Sequence, residues 1–148
     1  MERILIAADG SAGGSEAVKQ GLALAAAVGT RVTIAYVRRR PHEILGDAYY
    51  QRTLCTALAR GRRVIDDALA AAEELEIDAE GEIMEGDAAE EIVDLARARD
   101  ADMIVVGSRA LGPLAATLLG SVSRAVIDAA DRPVLVVTGR ASERRAAA

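Results

Sequence analysis

The sequence predicts an α/β domain: a single doubly wound, five-stranded parallel sheet in the order 3-2-1-4-5, with helices on both faces. Three observations predict it. The runs Ile4–Ala8, Val32–Val37, Met103–Val106 and Val134–Val137 are continuous, apolar and β-branched, as strands buried on both faces are. Helical apolar patterns alternate with these runs along the chain. A fifth run, Ile77–Met84, alternates Ile77, Ala79, Gly81 and Ile83 with Asp78, Glu80 and Glu82, the pattern of a half-exposed strand at a sheet edge.

The helices follow in order. Ala17, Gly21, Leu24, Ala25 and Val28 form the first apolar face, ended by Gly29, and Val64, Ile65, Ala68, Leu69, Ala72 and Leu75 form the second. Ala88, Ile92, Leu95 and Ala96 form the third, with Asp87 placed as its N-cap, and Val122, Ala125, Val126 and Ala129 form the fourth. Met84 and Met103 are expected in the core. The segment Arg38–Arg60 breaks the rhythm, and it gathers His42, Tyr49, Tyr50 and Cys55. It reads either as a lid over a pocket or, the favoured reading, as a surface connection with a partly helical tail. His42 is expected on the surface and Cys55 as a small packed residue. One domain is expected over residues 1–139, with a disordered tail over 140–148.

Composition narrows the function. With 18 Lys and Arg against 23 Asp and Glu the chain is mildly acidic, so a nucleic-acid partner is not expected. Cys55 is the only cysteine, which rules out an intrachain disulfide or a zinc site built from thiols. The run after Met1-Glu2-Arg3 stops at Asp9, too short for a signal peptide or a membrane span, so a soluble cytoplasmic protein is expected. Lys19 is the only lysine, and a GxxxxGK[ST] phosphate loop is absent. Any phosphate must be held by backbone, hydroxyls or arginine.

In the inferred strand order the ligand crevice falls between the first and fourth strands, where the connections diverge. The two loops there are Asp9-Gly10-Ser11-Ala12-Gly13-Gly14-Ser15 and Gly107–Ser121, both rich in small residues. Glycine allows close backbone approach to an anion. Gly120-Ser121-Val122-Ser123 opens the fourth helix, whose free N–H groups and dipole favour phosphate, with two hydroxyls able to donate. Asp9 is suited to accept from a ribose or base, or to hold Mg on the phosphates. Singly, Ser121 and Ser123 read as ordinary caps and Asp9 as a turn residue; together at a switch point they read as a site. For Arg38-Arg39-Arg40 a solvated basic turn is favoured over a reach to a triphosphate.

From Arg3 to Val137 the chain resembles the universal stress protein family. The resemblance rests on Ile4-Leu5-Ile6-Ala7-Ala8-Asp9-Gly10-Ser11, Gly86-Asp87 and Ala101-Asp102-Met103-Ile104-Val105-Val106-Gly107-Ser108-Arg109. Leu118-Leu119-Gly120-Ser121-Val122-Ser123 and Arg132-Pro133-Val134-Leu135-Val136-Val137 complete it. The ATP-binding branch carries Gly, two residues, Gly, nine residues, then Gly-Ser or Gly-Thr. Here Gly107 and Gly120-Ser121 match, whereas the middle glycine falls on Ala110. The resemblance implies that Ala8, Asp9 and Val37 border the adenine and ribose, with Val106 beneath the sugar. It implies that Gly107, Gly120, Ser121, Val122 and Ser123 hold ribose and phosphates, with Arg109 the loop's remaining cation. If Ala110 needs a left-handed backbone, alanine costs roughly 1–2 kcal/mol more than glycine, about a tenfold loss of affinity. Gly112 is placed to absorb that turn.

The function expected is an ATP-binding, ligand-responsive stress regulator with little or no turnover, because no positioned general base is visible. The alternative is a dimeric interaction module that has lost nucleotide binding; a slow ATP hydrolase ranks third. A homodimer is expected through Val134, Leu135, Val136 and Val137, an apolar run placed at the outer edge of the sheet. The resemblance implies the same, since many relatives pair through their final strands.

Overall fold

A computed structural model describes residues 1–40, 47–108 and 119–138. The chain runs β1 (Arg3–Ala7), α1 (Ala12–Val28), β2 (Arg31–Arg38), α2 (Asp47–Glu74), β3 (Ala79–Glu85), α3 (Ala88–Ala98), β4 (Met103–Gly107), α4 (Ser121–Ala129) and β5 (Val134–Val137). The five strands form one sheet in the order β3-β2-β1-β4-β5, with every pairing parallel. This is the predicted architecture.

Strand alternation divides the core. Ile4, Ile6, Val32, Ile34 and Val105 pack beneath α1 and α2, while Leu5, Ala35, Ile104 and Val106 pack with Ile92, Val93 and Val126 from α3 and α4. The central strands can be apolar at consecutive positions because both faces are covered. Gly21 and Gly61 are among the glycines that close packing uses. A Cβ on Gly21 would lie 2.6 Å from Ile6 Cδ1, and one on Gly61 would lie 2.7 Å from the Tyr36 ring.

The caps follow the sequence signals. Asp87 accepts from Ala89 N and Glu90 N at 3.1 Å, and α1 stops at Gly29, whose φ of 69° is left-handed. Asp102 ties the chain's start to the α3–β4 turn by accepting from Glu2 N at 2.6 Å and Arg3 N at 3.1 Å. Those two bonds hold its carboxyl below the ordinary aspartate range.

Three expectations are corrected. Cys55 is exposed rather than packed. With 28 residues α2 is about 42 Å long, whereas the eight-residue β2 spans about 26 Å, so the first turns of α2 overrun the sheet. Second, α2 begins at Asp47, well before Val64 where its apolar pattern starts, so the helical tail expected of the Arg38–Arg60 segment is the front of that helix. Residues 41–46, His42 among them, lie outside the described residues, as does the 140–148 tail. Third, Leu75 and Val28 are each 48% exposed, while Leu22, unassigned by the periodicity, is buried.

The acids of β3 are paired across the sheet. Glu80 meets the guanidinium of Arg3 and accepts from Thr33 Oγ1 at 3.0 Å, and Arg99 reaches both Glu80 and Glu82. Partial burial pushes the Glu80 carboxyl up, but the Thr33 hydroxyl and Arg3 outweigh it and leave it below its ordinary value. Among the described residues no helix is long and apolar enough to cross a membrane.

Candidate functional site

β1 feeds a connection toward β2 on one side, and β4 feeds one toward β5 on the other. Between their carboxyl ends lies a cleft of about 140 Å³ that opens to solvent at its mouth.

The β1–α1 loop forms one wall. Gly10 takes φ of 78°, turning the chain sharply after Asp9. Asp9 Oδ1 accepts from Ser11 N at 2.9 Å and from Ser11 Oγ at 2.5 Å. Ser11 Oγ in turn accepts from Gly14 N at 3.1 Å and caps α1. A Cβ on Gly14 would come 3.0 Å from Asp9 N and overlap Asp9 Oδ1, so this carboxylate sits against bare backbone.

The β4 end interlocks with the same loop. A Cβ on Gly13 would lie 2.6 Å from Ser108 O, and one on Gly107 would lie 2.5 Å from Gly13 C. The two walls therefore touch backbone to backbone.

The start of α4 closes the opposite side. Its N-cap is Gly120, extended at φ −60° and ψ 157°, and no side chain caps the helix. The first amides of α4 thus face the cleft without a side-chain acceptor, an arrangement that favours an anion. Ser121 is exposed at the rim. Ser123 is buried, and its hydroxyl donates to Gly107 O at 2.9 Å, fastening α4 to the end of β4. Its hydroxyl proton is thereby committed to the fold.

The cleft brings together Ala8, Asp9, Val37, Val106, Gly107, Gly120, Ser121, Val122 and Ser123 from the sequence-predicted set. Arg109 and Ala110 lie outside the described residues. Sequence reasoning missed Arg39, Gly14 and Ala35, and also Ala88 and Ile92, which α3 carries into the cleft. Gly14 was signalled by its glycine-rich loop and Arg39 by the reach weighed for Arg38-Arg39-Arg40; Ala88 and Ile92 had no local signal.

One part of the lining is apolar, with Ala35, Val37, Ile92 and Val106, and another is hydrogen-bonding, with Gly120 and Ser121. Such a surface suits a ligand with a flat apolar part and an anionic part. Among the described lining residues only Asp9 and Arg39 ionise. Groups of three or more His, Cys, Asp or Glu arranged for a metal are absent among the described residues.

The comparisons with known proteins agree with this geometry. The model of the universal stress protein family matches residues 1–138. A universal stress protein of Thermus aquaticus is 34% identical over 134 residues, which cover 90% of this chain and 96% of that one. A universal stress protein family structure from Burkholderia pseudomallei superposes with a TM-score of 0.77 at 29% identity, covering 92% of this chain and 95% of that one. A universal stress protein crystallised in complex with cAMP is 26% identical, with a TM-score of 0.71 and coverage of 92% and 96%. The match spans both cleft walls and all five strands, and the chain belongs to the universal stress protein family.

Proposed function

We propose that the protein binds an adenine nucleotide, ATP with its magnesium ion, between Asp9 and the start of α4, and works as a ligand-responsive regulator with little or no turnover. The observation that carries this reading is an apolar cleft at the switch point that includes a helix N-terminus lacking a side-chain cap. The relative in complex with cAMP supports the adenine-nucleotide class. Adenine and ribose lie against Ala8, Val37 and Val106, and the phosphates meet Gly107 and the amides of Ser121, Val122 and Ser123. Arg109 and Ala110 belong to the same proposed phosphate loop. Asp9 is the one carboxylate in the described lining, so magnesium is held mainly by the phosphates, with Asp9 beside them. Little turnover follows because Asp9 is engaged by Ser11, and amides and hydroxyls stabilise charge without activating water.

Calorimetry tests the reading. Magnesium-ATP is expected to bind the full chain, with Asp9→Ala weakening binding and no steady ADP release. Absence of heat at millimolar ATP, with the protein folded, would overturn it in favour of the interaction-module alternative. A cytoplasmic setting accompanies this proposal, since the exposed thiol of Cys55 suits a reducing compartment.

The proposed partner is a second copy of the chain, paired through β5. This strand lies at the sheet edge, and Leu135 is 37% exposed there. Val136→Lys is expected to shift a wild-type dimer to monomer in sedimentation velocity. A wild-type monomer at tens of micromolar, on the order of where weak dimers form, would sink the pairing.

A further inference from the structure

Arg38 ends β2 and two further arginines follow it, and the fold treats the three differently. Arg38 and Arg40 converge on Glu85, Arg38 through Nη2 and Arg40 through Nε at 3.3 Å. Arg39, one residue past the strand, lines the cleft together with Val37. It is the only cation in the described lining.

Its position within the cleft decides what it can reach. β2 and β4 flank β1, so their ends lie about two strand spacings, roughly 10 Å, apart. The uncapped start of α4 follows β4, on the far side of β1 from Arg39. The neighbours of Arg39 in the lining are the apolar Val37 and Ala35 of β2. Ile92 and Ala88 of α3 extend that apolar wall.

We propose that Arg39 holds the base end of the nucleotide, its guanidinium plane lying against the purine face left open by Val37 and Ile92. This rests on the nucleotide reading above and adds a specificity-determining residue to it. The phosphates are already served by helix amides on the opposite side, whereas the base end has apolar walls and one exposed guanidinium. A guanidinium is planar and weakly hydrated and stacks on a π face; an ammonium at the same place offers charge without the plane. Arg39 thus selects for an aromatic base rather than for extra phosphate charge.

The test compares the wild-type chain with Arg39→Gln and Arg39→Lys by calorimetry, using ATP, adenosine and tripolyphosphate as separate ligands. Both variants are expected to weaken ATP and adenosine by the same factor, about two- to fivefold, as an exposed cation–π contact implies. Tripolyphosphate binding is expected to be unchanged, and so is the melting temperature, because Arg39 is exposed. A loss for ATP and tripolyphosphate with adenosine unaffected would overturn the proposal and make Arg39 a phosphate contact. Full affinity in Arg39→Lys, or no change in either variant, would also overturn it while leaving the nucleotide reading intact. A wild-type protein that binds neither ATP nor adenosine removes both.

Discussion

Replacing Gly107 with alanine is expected to destabilise the protein by about 3 kcal/mol, the upper end of overpacking penalties, and to weaken nucleotide binding more than tenfold. The new Cβ would lie 2.5 Å from Gly13 C and 3.1 Å from Gly14 N, and closer still to Gly13 O. These are backbone atoms in the first turn of α1, so no side chain can swing aside. α1 is itself anchored, because its Ala17, Gly21, Leu22 and Ala25 are buried. The β4 end and the β1–α1 loop must therefore separate, and those segments form two walls of the cleft. Gly29→Ala separates this clash from the general effect of losing a glycine. Gly29 is left-handed at φ 69°, yet nothing lies within 4 Å of its would-be Cβ. That variant is expected to lose only about 1 kcal/mol, with binding intact. Urea midpoints followed by circular dichroism measure both, and equal losses would refute the interlocked-wall account.

Arg132→Ala is expected to lose about 2–3 kcal/mol, the value of charge-assisted hydrogen bonds removed from a partly buried site. Arg132 Nη1 donates to Ala96 O at 2.8 Å and to Ala101 O at 2.7 Å, and Nε donates to Asp131 Oδ1 at 2.8 Å. The guanidinium thus joins the approach to β5, the last turn of α3 and the turn before β4, around the buried Ala96 and Ala101. The carboxylate is the lesser partner, since Asp131 is half exposed and its pairs face solvent. Asp131→Asn is expected to change stability far less than Arg132→Ala.

The pH dependence separates the two kinds of bond. The Arg132 hydrogen bond, outweighing slight burial and aided by Arg97, lowers the Asp131 carboxyl from 3.8 to about 2. A carboxylate whose pKa is lower folded than unfolded stabilises above the unfolded value, and that contribution disappears as pH falls through the folded one. The Asp131 contribution is therefore complete above the unfolded value of 3.8 and declines as pH falls toward about 2. The carbonyl bonds do not titrate, so most of the Arg132→Ala deficit is expected to persist at acid pH. A deficit that vanished there would assign the effect to the ion pair.

The strands were legible because each is a local statement. A run such as Ile4-Leu5-Ile6 with no polar alternation requires cover on both faces, and Gly29 and Asp87 mark where helices stop and start. The strand order was legible too, since the acids of β3 marked an edge and the two glycine-rich loops marked the switch point. The same acids also do something their alternation did not signal: Glu80 and Glu82 meet Arg3 and Arg99. Nothing in the spacing of Arg3, Glu80 and Arg99 signals that they meet. Cys55 was misjudged because a helix pattern states which face is apolar but not how far the sheet beneath it extends.

The sequence by itself determined the fold class, the caps at Asp87 and Gly29, and the loops at Asp9, Gly107 and Gly120, because periodicity, glycine and capping residues act through neighbours a few positions away. Ala8, Val37 and Val106 were placed at the cleft only by the family resemblance. Only the tertiary structure decided that Ser123 gives its hydroxyl to Gly107, that Gly13 and Gly107 meet as bare backbone, and that α3 lends Ile92 to the cleft. It also decided that Arg39 turns to the cleft while Arg38 and Arg40 turn to Glu85. The physical reason is common to all four. Each depends on elements distant in the chain, and its partner is set by strand register and by how the helices seat on the sheet, which no local pattern encodes.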